Sequence, residues 1–191
     1  MSLERILGKR SVKLLFLLIS ASLIMTASAA VYYALLMESQ VTITEAVVHF
    51  TQGNDSTAAG LSLGTNETYA HLASLKAYPN VTLTYEQAVN VTNTDSSTHN
   101  IRLRHISISP ASGDDSVGNF TSITFKLIDD SGNVKATFQY TTSGDDWSTP
   151  SPTSWISIPA STEWTIQVET KAVAGARSNV SCSITVAIDV Q

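Results

Sequence analysis

The clearest chemistry in this sequence lies in six Asn-x-Ser/Thr triplets. They place Asn54, Asn66, Asn80, Asn90, Asn119 and Asn179, six of the nine asparagines, two residues before a hydroxyl. A carboxamide so placed is the acceptor pattern for an N-linked glycan. Ser and Thr make up about a quarter of the chain, so chance alone gives about two or three such triplets. Ser/Thr-rich β proteins collect the pattern freely, but the excess points to real modification. Each triplet falls in a loop, near a turn, or on the polar parity of a strand, so each asparagine is expected in solvent. Modification there places the domain outside the cell.

The remaining reactive side chains do not assemble into a catalyst. His49, His71, His99 and His105 are scattered without metal-ligand spacing, and isolated strand or surface histidines are the plain reading. Acidic pairs recur at Asp114-Asp115, Asp129-Asp130 and Asp145-Asp146, but none sits in the alternating Asp/Asn ladder of a calcium loop. Asp and Gly are favoured in turns for backbone reasons alone. Trp147, Trp155 and Trp164 could line a sugar-binding face, though three Trp spread over two strands and a loop fit core or rim better. The single cysteine, Cys182, sits on the apolar parity of a strand and reads as a packed thiol. No nucleophile elbow, phosphate loop or dinucleotide fingerprint occurs. The sequence predicts no enzyme, no cofactor, no metal and no small-molecule substrate.

These residues depend for their placement on two parts of unlike character. Residues 14–37 hold no charge, and Arg5, Lys9, Arg10 and Lys13 stand before them. That basic flank favours a cytoplasmic N-terminus and export of the remainder of the chain. Three readings fit. In the first, residues 1–29 are a signal peptide with an apolar core at 14–25, cut after the small-x-small run Ala27-Ser28-Ala29, so that Ala30 begins the mature chain. In the second, the 24 uncharged residues stay as a membrane anchor, being long enough for a ~30 Å hydrocarbon layer. In the third they form a pilin-like helix, but no processing site directly precedes the run.

After the segment, residues 41–191 read as one β domain. Alternating, β-branched stretches recur at 41–50, 61–75, 81–92, 101–108, 123–127, 134–140, 155–158, 164–168 and 180–190. The last is the most regular, predicting Val180, Ile184, Val186 and Ile188 inside a central strand. The stretch Asp129-Asp-Ser-Gly-Asn133 predicts a hairpin turn. Parity breaks near Glu45 or Ala46 and between Leu103 and Ile106 predict bulges. No helix pattern appears beyond the leader. The predicted fold is all-β, a two-sheet antiparallel sandwich of jelly-roll or Greek-key type. Seven basic against fifteen acidic residues lie beyond Lys13, a balance that offers no footprint for nucleic acid.

The order of parts resembles the TasA/camelysin-like group and, within it, archaeal bundling pilus subunits. The matching pieces are Ala27-Ser-Ala29, then residues 30–37, a first strand from Val41, the stretch 81–94, and the ending from Ile158 through the last strand. The resemblance implies a glycosylated extracellular filament subunit that assembles with copies of itself and bundles cells in a biofilm. It implies that residues 30–40 are a donor strand filling a groove in the next copy, an open head-to-tail contact. In an extended segment Val31, Tyr33, Leu35 and Met37 share one face and form its bulkier set. Burying four large apolar side chains supplies about 6–12 kcal/mol before ordering costs. The segment is more apolar than a donor strand requires, which keeps open a second class: a membrane-anchored, monomeric surface domain for adhesion or binding.

Overall fold

The computed structural model describes residues 13–15, 17–19 and 46–191. The chain divides into two units, Met1–Ile43 and Thr44–Gln191. In the first, residues 13–15 and 17–19 are helical and exposed. Among the described residues no helix is long and apolar enough to cross a membrane.

The second unit is the two-sheet antiparallel sandwich that its alternation predicts. Its strands are β1 (Val48–Gln52), β2 (Leu61–Leu63), β3 (Tyr69–Leu75), β4 (Thr82–Asn93), β5 (His99–Ser109), β6 (Phe120–Ile128), β7 (Val134–Ser143), β8 (Asp146–Ser148), β9 (Ile156–Ile158), β10 (Thr162–Ala172) and β11 (Cys182–Val190). One sheet, here sheet A, has the order β1-β4-β10-β6-β7-β8. The other, sheet B, has the order β2-β3-β11-β5-β9.

The last strand lies between β3 and β5, as its regularity demands. Cys182, Ile184, Val186 and Ile188 turn inward and are buried, because successive strand residues face opposite sides. Val180 departs from expectation. The strand starts only at Cys182, so Val180 sits half-buried in the loop before it. The parity break in β5 is a register shift against β11, where His105 opposes Val186 and Ser107 opposes Thr185. A second shift puts two extra residues on β4 between Tyr85 and Val89, and Ala88, Val89, Asn90 and Val91 are all buried. Of the break expected near Glu45 or Ala46, Glu45 lies outside the described residues and Ala46 precedes β1 outside any strand.

The predicted hairpin joins β6 to β7. Asp129 Oδ1 accepts the backbone N–H of Ser131 and Asn133 at 3.0 and 2.7 Å, and Gly132 turns the chain at φ +82°. Two short elements were not legible in the pattern. Ser56–Ala59 makes one helical turn, α1, closed by Gly60 in the left-handed region, and Val117–Asn119 makes a 3-10 turn. Both are too short to show a period of 3.6.

The core is mostly aliphatic at one flank, with Phe50 and Tyr85 as its aromatic members, and carries a cluster of packed rings at the other. Val48, Ala70, Leu72, Leu75, Ala88, Val89 and Val91 pack around β1, β3 and β4. Around β6, β7 and β8, Phe125 meets Phe138 at 6.2 Å, Phe138 meets Tyr140 at 5.6 Å, and Tyr140 meets Trp147 at 6.4 Å. These centroid distances are those of favourable edge-to-face pairs.

Candidate functional site

The residues of the predicted cleavage site (Ala27, Ala29, Ala30) and donor strand (Val31, Tyr33, Leu35, Met37) lie outside the described residues. The six sequon asparagines are all described, and they divide. Asn54, Asn66, Asn80 and Asn179 are exposed, on the loops after β1, between β2 and β3, between β3 and β4, and before β11. Asn80 and Asn179 hold φ of +60° and +64°, a region that asparagine tolerates better than most residues. Their type therefore has a backbone reason besides any glycan.

The expectation of solvent exposure fails at Asn90 and Asn119, which are 8% and 7% exposed. Asn90 keeps its polar parity on the outer face of sheet A, where side chains of the flanking strands cover it: its Nδ2 donates to Glu163 Oε1 at 3.1 Å, and its Oδ1 accepts from Thr165 Oγ1 at 3.4 Å. Asn119 Nδ2 donates to the carbonyl of Ser116 at 3.0 Å, while its Oδ1 accepts the backbone N–H of Arg177 at 2.7 Å. In both, the nitrogen a glycan would need is already tied into the fold.

Each histidine has a local partner: His71 pairs with Thr185 Oγ1 at 2.9 Å, His99 with Asp95 at 2.7 Å, His105 with Tyr140 Oη at 2.9 Å, and His49 with the Ala46 carbonyl at 3.2 Å. Among the described residues no three His, Cys, Asp or Glu side chains gather as metal ligands. Burial pushes the Cys182 thiol up to about 12, which removes the thiolate at neutral pH. The acidic pairs serve turns. Asp129 is held well below the usual carboxylate range by Lys135 and by the Asn133 N–H, and the Ser116 N–H lowers Asp114 likewise. Trp147 and Trp164 are core residues, and Trp155 alone of the three is exposed, at 42%.

The sequence did not reveal which strand edges are left open. β5 meets β9 only at His99, Asn100 and Ile101, and β7 meets β8 only at Thr141, Thr142 and Ser143. Leu103 accepts the Thr153 backbone N–H at 3.0 Å and donates its own N–H to Thr153 Oγ1 at 3.0 Å. Beyond these, residues 104–109 of β5 and 134–140 of β7 pair with a strand on one side only, among the described residues. Both edges belong to one flank, because His105 of β5 touches Tyr140 of β7 edge-on, with ring centroids 5.5 Å apart. Residues 149–155 pass from β8 to β9 there, and Pro150 and Pro152 within them have no N–H to offer a ladder. At the other flank β1 is partly covered, since Phe50 N–H donates to the Glu67 carbonyl at 2.7 Å.

A second cluster lies on the outer face of sheet B. Asp189 accepts from Arg102 Nε at 2.9 Å and from Arg104 Nε at 3.1 Å, and the Arg102 guanidinium stands 4.6 Å over the Trp155 ring. Burial raises the Asp189 pKa, but the bonds from both arginines outweigh it and hold the carboxylate below its ordinary range. Beside Arg104 runs a groove of about 320 Å³ lined by Thr68, Tyr69, Ile106, Thr185 and Ala187, with the backbone of Ile188 at its floor, where its N–H donates to the Thr68 carbonyl at 3.0 Å. Alternation in β5 placed both arginines on one face, but only the sheet order brings Asp189 and Tyr69 to them.

No family model matches the chain, and no curated protein matches it. Among solved structures, a protein from Sulfurospirillum deleyianum is similar at 11% identity over 63% of this chain and 97% of that one, with a TM-score of 0.28. The enzymatically active domain of tailspike protein 4 from bacteriophage CBA120 is similar at 10% identity and a TM-score of 0.28. It covers 75% of this chain, which spans only 19% of that one.

Proposed function

We propose that this chain is a structural subunit of an extracellular, cell-surface filament of the kind that bundles cells in a biofilm. Residues 30–37 of one copy add as a donor strand to the open flank of the next. The observation that carries this reading is the pair of one-sided edges at residues 104–109 and 134–140. Eight extended residues reach about 26 Å and seven reach about 23 Å, so the donor matches the open part of β7 in length. An added strand satisfies edge N–H and C=O groups, and its alternate side chains supply specificity. Because donor and acceptor are different surfaces, the contact does not close and the chain of subunits grows. The membrane enters only during export, and no step needs a cofactor, a metal or a nucleic acid.

One observation favours a second reading, that of a membrane-anchored adhesion or binding domain acting as a monomer. The arginine and aromatic face of sheet B carries residue types common at binding surfaces, and it needs no neighbouring subunit. Two measurements separate the readings. N-terminal sequencing of natural protein should find a start near Ala30, whereas retention of residues 14–25 would mark an anchor. Electron microscopy should find filaments for the natural chain and none for a chain beginning at Val41 or for Tyr33→Asp/Leu35→Asp, which places unpaired charges in an apolar contact. Filaments of normal length from either variant would overturn the donor-strand reading.

A further inference from the structure

The groove on the outer face of sheet B contrasts with everything around it. Residues 46–191 hold seven basic and thirteen acidic side chains, yet two of the basic ones, Arg102 and Arg104, stand together here. Asp189 binds both through Nε, and among the described residues no acceptor meets their Nη groups. The carboxylate thus fixes two guanidinium forks and leaves their outer N–H groups free to bind. Next to them Tyr69 and Ile106, each 45% exposed, present an aromatic and an aliphatic side chain to the groove. Thr68 and Thr185 add hydroxyls to the same lining.

We propose that this groove binds an acidic saccharide, with a uronic acid carboxylate on the Arg104 fork and the apolar face of the sugar ring against Tyr69. A planar fork with paired N–H donors matches a carboxylate in both charge and shape. An aromatic face supplies the flat apolar surface that the C–H side of a pyranose needs. The groove, at about 320 Å³, lies at the lower end of the size range for small-molecule sites, enough for one or two sugar residues. Arg102, stacked on Trp155, extends the cationic surface away from the groove for the next carboxylate of a polymer. The inference stands independently of filament assembly, since all its residues belong to one copy.

The test is calorimetric titration of the full chain in detergent micelles with trigalacturonate and with its methyl ester. Trigalacturonate should bind, and esterification, Arg104→Gln and Tyr69→Ala should each weaken binding by roughly tenfold or more. Lys171→Gln, on the other sheet, should change nothing, and thermal unfolding should show all three variants folded. No binding of trigalacturonate, equal binding of the ester, or unchanged binding by Arg104→Gln would overturn the proposal. So would concentration-dependent self-association lost in Arg104→Gln, which would give the face to a second copy instead.

Discussion

The flank built from β1 to β4 and the flank built from β5 to β9 are made to different plans. The first has a mostly aliphatic core in which Phe50 and Tyr85 do not join the ring cluster, a short edge strand of five residues partly covered by the β2–β3 turn, and three loops bearing the exposed Asn54, Asn66 and Asn80. The second has the aromatic cluster, strands of eleven and ten residues with one-sided edges, and no exposed sequon asparagine between residues 99 and 173. Long unpaired edges invite other chains, and folded proteins ordinarily blunt or cover them. Here, among the described residues, a proline-bearing connection crosses the open edges without pairing along them. Glycans on the first flank would bar approach there and leave the second free. Under the proposed assembly, the two plans together would direct strand addition to a single side.

The comparison breaks most sharply at the core. Phe138→Ala deletes a ring that contacts both Phe125 and Tyr140 and should cost about 3–5 kcal/mol in urea unfolding. The matching truncation on the first flank, Val91→Ala, removes less buried surface and should cost about 1.5–3 kcal/mol. Equal losses would show that the ring cluster adds nothing beyond ordinary burial. If the cluster backs the acceptor edge, Phe138→Ala should also lower filament yield where Val91→Ala does not.

The strands were legible because alternation is a local signal. The run from Cys182 to Ile188 shows its buried face residue by residue, and Asp129 to Asn133 shows its turn. What escaped was everything set by partners distant in sequence. Asn90 reads as an exposed polar strand position, and it is polar, but β1 on one side and β10 on the other bring Thr51, Thr165 and Glu163 over it. The open length of β5 and β7 depends on β8 and β9 being three residues each, and β8 was hidden in a stretch that reads as loop. The Arg102, Arg104 and Asp189 cluster joins two strands about 85 residues apart, a placement that sheet order alone decides.

The sequons sharpen the comparison at a smaller scale. Mass spectrometry of natural protein before and after deglycosylation should find glycans at Asn54, Asn66, Asn80 and Asn179 and bare peptides at Asn90 and Asn119. Asn119→Ala should destabilise the domain by about 1–3 kcal/mol, because it leaves the Arg177 N–H without its acceptor. Asn54→Ala, at an exposed position, should stay within about 0.5 kcal/mol of the parent. A glycan found on Asn119 of folded protein would mean that the second flank is not bare.

The smallest effect belongs to the contact that ties the open flank together. Burial lowers the pKa of His105, and its neighbour Tyr140 is pushed upward by burial and by Cys182, so no charged partner there favours the imidazolium. The folded state therefore prefers neutral His105, while the unfolded chain titrates near its ordinary value of about 6.5. Stability is full above that value. It falls as the pH drops through it, and the loss is complete once the pH passes below the lowered folded-state pKa. His105 is only half-buried, so solvent screening keeps the loss under about 1 kcal/mol. His105→Asn preserves a side-chain partner for Tyr140 Oη but cannot take up the proton. Its unfolding free energy, measured by urea titration between about pH 7.5 and 5, should decline less steeply than that of the parent. Parallel profiles would show that His105 keeps its ordinary pKa and that water reaches the open flank freely. A flatter profile would show instead that the contact between β5 and β7 is closed to the proton in the isolated subunit.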